Sequence, residues 1–501
     1  MSDQLRLKTR LHHHQAQAVR HLARRGGGAL LHDPGLGKTL TTITYLAALT
    51  KKHGVLDALI CVPLAAIDTW PSEFEAHWPD DAGTYEIIVL DRGTIEQKAA
   101  RIAALADEPD HEGLRVVLIN HDAFRSTAKA KGTKTVTVQD RMIHAVLKWG
   151  PDVGVVDELH RIKSHTSNTG RAFAKLARAI PRRVGLTGTV TPRDPLDLFG
   201  QWLWINPQRF GTSWQHFRFR YAQYGGYMGH EVVRFQRLDE MRELLLHDAH
   251  IAKKEDALDL PPVTERVVPV RLSPKERKAY NEVATDMISH LEQGTITSPS
   301  ALTTTVRLRQ LTGGHATVET DKGAREVHQI GTSKLDVCAD LVQDLVAADE
   351  KTVIFAHFRA DVAALAARMA KFGVPVFEVT GDTSPKARLA ARQQFRDHDG
   401  AAIFVAQQRT MSIAVNEFVA SANAIFYSLS ERRDDLDQAK DRLNRFGQTR
   451  PVTLTFLVVP GSVDEAMLHA HRTKMSLERA LTTDRFSPML LDATLTSRRA
   501  A

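Results

Sequence analysis

A glycine-broken turn that ends in a lysine and a threonine is the first segment of this chain whose residue types could do chemistry. Residues 31–39 read LHDPGLGKT, and the following TLTTITYLAAL predicts a helix. Such a turn aims backbone N–H groups and the positive end of a helix at phosphates. Lys38 would then bridge the β- and γ-phosphates of a nucleotide, and the hydroxyl of Thr39 would ligate Mg²⁺.

This turn departs from the strict pattern of phosphate-binding loops at one position. The pattern G-x-x-x-x-G-K-[ST] would place glycine at 32, where the chain has His32. Gly35 and Gly37 remain, and both let the backbone approach phosphates closely. A surface loop that contains GLGKT by chance is the alternative, and the acidic segment downstream argues against it. The loop residues expected to bind nucleotide are Asp33, Gly35, Leu36, Gly37, Lys38 and Thr39.

The second chemical segment is an apolar strand that ends in two carboxylates. Residues 153–164 read VGVVDELHRIKS, so Asp157 and Glu158 come at the carboxyl end of the predicted strand. Ligands of open α/β sheets bind at that edge. Asp157 suits the magnesium shell, and Glu158 suits polarisation of the attacking water. The two segments in this order predict a nucleoside triphosphatase.

Two arginines near the end of the chain are further candidates. Residues 438–448 read QAKDRLNRFGQ, and on a helix Arg442 and Arg445 would be three apart and share a face. Arginines at a cleft between lobes could stabilise the charge that develops on the γ-phosphate. Taken alone, the segment is better explained as an ordinary basic helix on a basic protein.

Composition bounds the class of protein. The chain has 501 residues, 43% of them hydrophobic and 25% charged, which is enough for two or three ordinary domains. The formal net charge of +7 suits a polyanionic partner, although simple solubility charge would also explain it. Cys61 and Cys338 form no CxxC pair, so neither a zinc site nor a disulfide framework is expected. The sequence shows neither a membrane span nor a signal peptide, and we expect a soluble intracellular protein.

Two series of short apolar runs alternate with helical stretches, which predicts parallel sheets buried on both faces. The predicted strands of the first series are residues 29–31, 58–63, 86–90, 115–120, 153–157 and 183–189. Those of the second are residues 351–357, 375–381, 401–407, 424–429 and 452–459. The predicted organisation is a first lobe (1–235) with a helical insertion from about 195, a connector with a helical protrusion (236–330), a second lobe (331–482) and an irregular tail (483–501).

The ordered set HDPGLGKT, DELH, LTGT and QAKDRLNRFGQ resembles the superfamily-two helicases, and more narrowly the switch/sucrose-non-fermenting (Snf-type) branch of ATP-driven double-stranded-DNA translocases. The resemblance runs from about residue 9 to 480. It implies an α/β fold of two RecA-like lobes with ATP and Mg²⁺ in the cleft between them. It also implies a duplex DNA partner, which we expect to be held mainly through phosphates without sequence preference. LHHHQAQAVRHL places Gln15 at the adenine-recognising glutamine of the family. The residues to which the resemblance gives catalytic roles are Lys38, Asp157, Glu158, Arg442 and Arg445, with Thr39 and Asp157 on the metal.

The chain departs from the family pattern in two loops. Val190 stands where the family usually has proline, a mild change. Ser412 and Ala414 stand where the family favours glycines, in a loop that touches both nucleic acid and nucleotide; Asn416 remains. Because loss of glycine restricts positive φ angles, the coupling of hydrolysis to movement is the property placed in doubt.

Several other residues have two interpretations. His160 is expected to couple the lobes rather than act as a general base. Thr187 and Thr189 could hydrogen-bond across the domain, or could simply end a strand. The run FRFRYAQY (217–224) could stack on nucleic acid, but aromatics at mixed spacing favour a core.

The leading hypothesis is a DNA-dependent ATPase that tracks along duplex DNA in replication, recombination or repair. A strand-separating or branch-migrating helicase is the alternative within the class, and a DNA-binding protein that uses ATP only as a latch is the alternative outside it. The chain resembles compact bacterial or phage members, which implies a monomer in the cytoplasm. The sequence does not identify a recruiting protein.

Overall fold

The structure is a computed structural model, and it describes residues 5–108, 111–129, 136–188, 194–225, 231–257, 260–292, 298–319, 325–411, 417–430, 433–445, 447–469 and 471–472. Thr189, Val190, Ser412, Ala414, Asn416 and the predicted tail lie outside these residues. The described residues form two compact units, one within residues 1–259 and the other within residues 260–472.

The first unit is built on a seven-stranded parallel sheet in the order β3-β4-β2-β5-β6-β1-β9. A two-stranded antiparallel hairpin, β7–β8, lies outside it. The strands are β1 (Gly28–His32), β2 (Val55–Val62), β3 (Tyr85–Leu90), β4 (Gly113–Asn120), β5 (Val153–Asp157), β6 (Arg182–Thr187), β7 (Ala222–Gly225), β8 (Glu231–Phe235) and β9 (Ala249–Ala252).

Helices connect these strands and cover the sheet. They are α1 (His13–Arg25), α2 (Lys38–His53), α3 (Thr69–His77), α4 (Ile95–Ala104), α5 (Val138–Trp149), α6 (Asn168–Leu176), α7 (Leu198–Ile205), α8 (Trp214–Tyr221), α9 (Leu238–Asp248) and α10 (Lys254–Ala257).

The core of the first unit lies on both faces of the sheet. Successive residues of a strand point to opposite faces, and Leu30 and Leu31 of β1 accordingly belong to different apolar clusters. Leu30 packs with residues of α1 and α2, such as Leu22 and Ile43. Leu31 packs with the side that carries α5, α6 and α7, for example Phe173. Burial on both faces explains why the strands read as continuous apolar runs.

The second unit has its own six-stranded parallel sheet in the order β10-β17-β16-β13-β15-β14 and an antiparallel hairpin, β11–β12. Its strands are β10 (Val263–Pro269), β11 (His315–Glu319), β12 (Arg325–Gln329), β13 (Thr352–Ala356), β14 (Val376–Val379), β15 (Ile403–Gln407), β16 (Asn423–Phe426) and β17 (Val452–Val458). Its helices are α11 (Pro274–Glu292), α12 (Ser298–Thr312), α13 (Ser333–Ala347), α14 (Arg359–Met369), α15 (Pro385–Asp397) and α16 (Arg433–Leu443).

The predicted fold class, two parallel-sheet α/β units with helical insertions, is confirmed, and every strand predicted from the sequence is present. The structure adds edge strands that the sequence did not predict. β9 completes the first sheet and β10 the second, and both lie in the predicted connector, 236–330. β9 has only four residues and β10 is largely exposed, so neither forms the continuous apolar run of a buried strand.

Candidate nucleotide-binding site

The glycine-broken turn joins β1 to α2, and its backbone favours glycine at position 37. Gly37 caps the start of α2 with φ 69°, and Gly35 has φ 87°. A Cβ atom at Gly37 would lie 2.3 Å from Nε2 of Gln15. The left-handed backbone therefore favours glycine, and a side chain at this position would have to displace the amide of Gln15. The positive end of the sixteen-residue helix α2 therefore opens directly onto the loop.

Lys38 and Thr39 occupy the first turn of α2. The Lys38 ammonium donates to the His32 carbonyl at 2.8 Å and lies 3.4 Å from that of Asp33. The hydroxyls of the next threonines of α2 donate back to helix carbonyls, but among the described residues the Thr39 hydroxyl has no hydrogen-bond partner. Thr39 thus keeps both lone pairs for a ligand, as a magnesium site requires.

Gln15 and His14, in the first turn of α1, form hydrogen bonds with the loop. Nε2 of Gln15 donates to the Leu36 carbonyl at 3.2 Å, and Nε2 of His14 donates to the same oxygen at 3.1 Å. Oε1 of Gln15 accepts from the backbone N–H of His12 at 2.9 Å. These contacts place Gln15 beside the loop. Its recognition of adenine stays a prediction.

The side chain of Asp33 contacts the segment that follows β9. Its Oδ1 lies 3.2 Å from the Lys253 ammonium, and its Oδ2 accepts from the backbone N–H of Lys254 at 2.9 Å. Any contact of Asp33 with nucleotide is therefore expected from its backbone. Lys253 was not predicted from the sequence. The pair KK after a short apolar run was its only signal.

Asp157 is held by donors from three directions. Oδ1 accepts from the backbone N–H of Glu158 at 2.9 Å, and Oδ2 accepts from the indole N–H of Trp70 at 3.4 Å. The carbonyl of Asp157 accepts from Nε2 of His121 at 2.8 Å. Burial, and next the neighbouring charge of Glu158, raise the pKa of Asp157, whereas the charge of Lys38 lowers it.

Glu158 follows Asp157 with an unusual backbone. Its φ of 51° is left-handed, which few non-glycine residues adopt, and a short 3₁₀ helix, Leu159–Ile162, starts directly after it. Oε2 of Glu158 lies 3.3 Å from Nδ1 of His160, and the same nitrogen lies 3.2 Å from the hydroxyl of Thr187. His160 thus links the glutamate to the end of β6 within the first unit.

The sheet order brings these groups to one edge. β5 pairs with β6, and β6 pairs with β1, so the ends of β5 and β1 lie two strands apart. Lys38 and Thr39, which follow β1, therefore lie at the same edge of the sheet as Asp157 and Glu158. A hydroxyl with free lone pairs and a carboxylate at one sheet edge fit Mg²⁺, which binds proteins through few ligands and takes the rest from phosphates and water. Among the described residues no set of three or more His, Cys, Asp or Glu side chains could hold a metal.

Position 32, where the strict loop pattern has glycine, is part of a buried histidine pair. Nε2 of His32 lies 2.9 Å from Nδ1 of His250, which comes from the neighbouring strand β9. Burial lowers the pKa of His32 to about 2 and that of His250 to about 4. Both imidazoles are therefore neutral, and the pair braces the base of the loop without adding charge.

The prediction that Arg442 and Arg445 share a helical face is wrong. α16 ends at Leu443, and Arg445 lies beyond it in a bend. The helix stops because the amide of Gln448 donates to the carbonyls of Leu443 and Ser421 at 3.1 and 3.0 Å, which turns the chain toward β17. The catalytic roles of both arginines stay predictions.

The aromatic run 217–224 divides between core and surface. Phe217 and Tyr221 are buried, as the core interpretation predicted. Phe219 is 57% exposed, so the core prediction is wrong for this residue. Helical spacing explains the division, because residues four apart share a face and Phe219 lies on the opposite one. No helix in the described part of the chain is both long and apolar enough to cross a membrane.

Comparison with known proteins places this chain in a family. The family model for the SNF2-related domain matches residues 14–315, which include the phosphate loop and the two carboxylates. The chain belongs to the SNF2-related domain family. This assignment confirms the resemblance seen in the sequence, and it agrees with the predicted class, an ATP hydrolase of the helicase type.

Two relatives are similar to this chain over most of its length, and a solved structure also aligns with it. The Arabidopsis thaliana Protein CHROMATIN REMODELING 4 is 25% identical over 93% of this chain and 21% of its own length. The Mus musculus DNA annealing helicase and endonuclease ZRANB3 is 24% identical over 92% of this chain and 40% of its own. The Sulfolobus solfataricus SWI2/SNF2 ATPase core in complex with dsDNA aligns with 99% of this chain and 97% of its own, at 19% identity and a TM-score of 0.41. This SNF2-related chain thus spans between about a fifth and two fifths of the length of these two relatives.

Proposed function

We propose that this SNF2-related chain hydrolyses ATP and uses the energy to move along double-stranded DNA. The observation that carries the proposal is the convergence of the phosphate loop and the Asp157–Glu158 pair at one edge of the first sheet. A protein that only bound nucleotide would need the loop, but it would not need a second carboxylate next to the magnesium aspartate.

Each residue of the site has a role that follows from its chemistry. Thr39 and Asp157 would hold Mg²⁺, which when bound neutralises charge on the phosphates. Lys38 would leave the loop carbonyls that it now contacts and bind the β- and γ-phosphates. Glu158 would accept a hydrogen bond from the attacking water and orient it. The roles proposed for Arg442 and Arg445 rest on the family resemblance of their segment.

Duplex DNA is the proposed partner. The formal net charge of +7 favours a polyanion, and the names of relatives include a chromatin remodelling protein and a DNA annealing helicase. Contacts to phosphates would give affinity without sequence preference. We also propose that the protein acts as a monomer in the cytoplasm.

The deciding experiment is ATP hydrolysis by the purified protein without nucleic acid, and with single-stranded DNA, duplex DNA or duplex RNA. We expect strong stimulation by duplex DNA that Lys38→Ala abolishes. Lys52→Ala is the matched control, because Lys52 is exposed at the other end of the same helix. Stimulation chiefly by single strands would favour a strand-separating helicase. Absence of turnover with ATP still bound would refute the motor.

A second candidate is a DNA-binding protein that uses ATP as a conformational latch. Ser412 and Ala414, which replace the glycines usual in the family, favour it. Glu158→Gln separates the two functions, because it should stop turnover while ATP still binds. A motor would then stop moving on DNA. A latch would keep its ATP-dependent DNA binding.

A further inference from the structure

We propose that Trp70 is a positioning residue for Asp157: its indole N–H restrains the orientation of the carboxylate that would hold the Mg²⁺ of a bound nucleotide. This inference rests on the proposed ATP-hydrolysing site. It begins from the contact between Nε1 of Trp70 and Oδ2 of Asp157, at 3.4 Å.

The sheet explains how residues so far apart in sequence meet. β2 lies between β4 and β5, and the chain leaves β2 through a short turn into α3, whose second residue is Trp70. His121 directly follows β4, and Asp157 ends β5. Three neighbouring parallel strands thus deliver three groups to the same edge. Trp70 fixes the side chain of Asp157, while His121 fixes its carbonyl.

The orientation of the Trp70 ring is itself fixed by packing. Trp70 is only 2% exposed, and its ring lies 6.3 Å from that of Phe74. Phe74 in turn packs against Trp78 and Tyr85, with ring centroids 5.8 and 5.5 Å apart. A ring held in this cluster cannot swing its N–H to another acceptor. Because a buried indole N–H without a partner is costly, the bond to Asp157 restrains both residues.

Among the described residues, the carboxylate therefore has one hydrogen-bond donor on each oxygen, the Glu158 backbone N–H on Oδ1 and the Trp70 indole on Oδ2. A carboxylate oxygen has two lone pairs, so each can still accept a water or a metal ion. Donors that orient a metal-binding carboxylate typically contribute about 10–100-fold to metal affinity. Without Trp70, Asp157 would rotate between several orientations and bind metal more weakly.

The test uses Trp70→Phe, which keeps an aromatic ring and removes the N–H. Trp78→Phe is the matched control, because Trp78 belongs to the same buried cluster but donates to the carbonyl of Gly83. The readouts are the affinity for ADP without metal and the affinity for Mn²⁺ with ADP, followed by electron paramagnetic resonance. We expect Trp70→Phe to weaken Mn²⁺ binding at least about tenfold while metal-free ADP affinity is unchanged, and Trp78→Phe to change neither.

The inference is overturned if Trp70→Phe leaves Mn²⁺ affinity within about twofold of the wild type, or if both variants weaken it equally. If Trp70→Phe does not fold, 3-benzothienylalanine at position 70 decides, since it keeps the shape of tryptophan and lacks only the N–H. Failure of the proposed function gives a different result. A wild-type protein that never hydrolyses ATP but shows the difference in Mn²⁺ affinity would refute the ATPase and keep the role of Trp70.

Discussion

The neutral histidine pair beneath the phosphate loop should make the first unit unstable in mild acid. His32 is fully buried and bonded to His250. Their pKa values in the folded protein are about 2 and about 4. In the unfolded chain both would return to about 6.5. The unfolded chain therefore gains protons that the folded protein does not, and stability is lost as the pH falls through that unfolded value.

The size of the effect follows from the same values. Between about pH 7.5 and 5.5 an unfolded histidine goes from mostly neutral to mostly charged, whereas both folded histidines stay neutral. Each histidine then removes about 1.4 kcal/mol from the free energy of unfolding, and the pair removes about 2.7 kcal/mol.

Urea unfolding followed by tryptophan fluorescence measures this directly. All six tryptophans of the chain lie in the first unit, so the signal reports that unit alone. His250→Gln removes one titrating group, and the loss of stability between the two pH values should shrink by about 1.4 kcal/mol. His53→Gln is the control, because His53 is exposed in the same unit. If His250→Gln loses as much free energy of unfolding between the two pH values as the wild type does, the reasoning is refuted.

Three further predictions concern the loop, the glutamate and the partner. Gly37→Ala should lower the free energy of unfolding by about 1–3 kcal/mol through backbone strain, and it should weaken nucleotide binding because the methyl group would meet Gln15. Thermal unfolding measures the first effect and nucleotide titration the second. Gly54→Ala is the control, because Gly54 also has a positive φ but faces open space, and it should keep nucleotide affinity. Thr187→Val removes the hydroxyl that contacts His160, which in turn contacts Glu158. A steady-state assay should show ATP turnover reduced about tenfold with KM for ATP unchanged. An equal rise in KM would contradict a role of Thr187 in orienting Glu158. DNA affinity should fall steeply between about 50 and 200 mM salt in a fluorescence-anisotropy titration, by a similar factor for unrelated sequences, and a shallow salt dependence would argue against phosphate contacts.

The amino-acid sequence was sufficient for the parts of the site that lie within short segments. The loop 31–39 and the strand before Asp157 were predicted because each function needs a few residues at fixed local spacing. The buried strands were predictable for a related reason. A strand covered on both faces must be apolar throughout, and that property is visible in the sequence.

Contacts between distant segments depended on the order of the strands, which local patterns do not encode. Two side-chain contacts join residues more than 200 positions apart, that of Lys253 with Asp33 and that of His250 with His32. Both form because the unpredicted strand β9 pairs with β1. The end of α16 before Arg445 likewise depended on a distant acceptor, since the amide of Gln448 also donates to the carbonyl of Ser421.

The contact between Trp70 and Asp157 shows most clearly what the sequence determined and what the tertiary structure decided. The sequence determined that an apolar strand ends in Asp157 and Glu158, and that a segment with a tryptophan follows another strand. Only the tertiary structure decided that these strands are neighbours and that the indole N–H meets the carboxylate. A directed hydrogen bond requires two groups to be fixed to within a fraction of an ångström. That precision comes from packing the whole sheet and its helices, and not from local sequence.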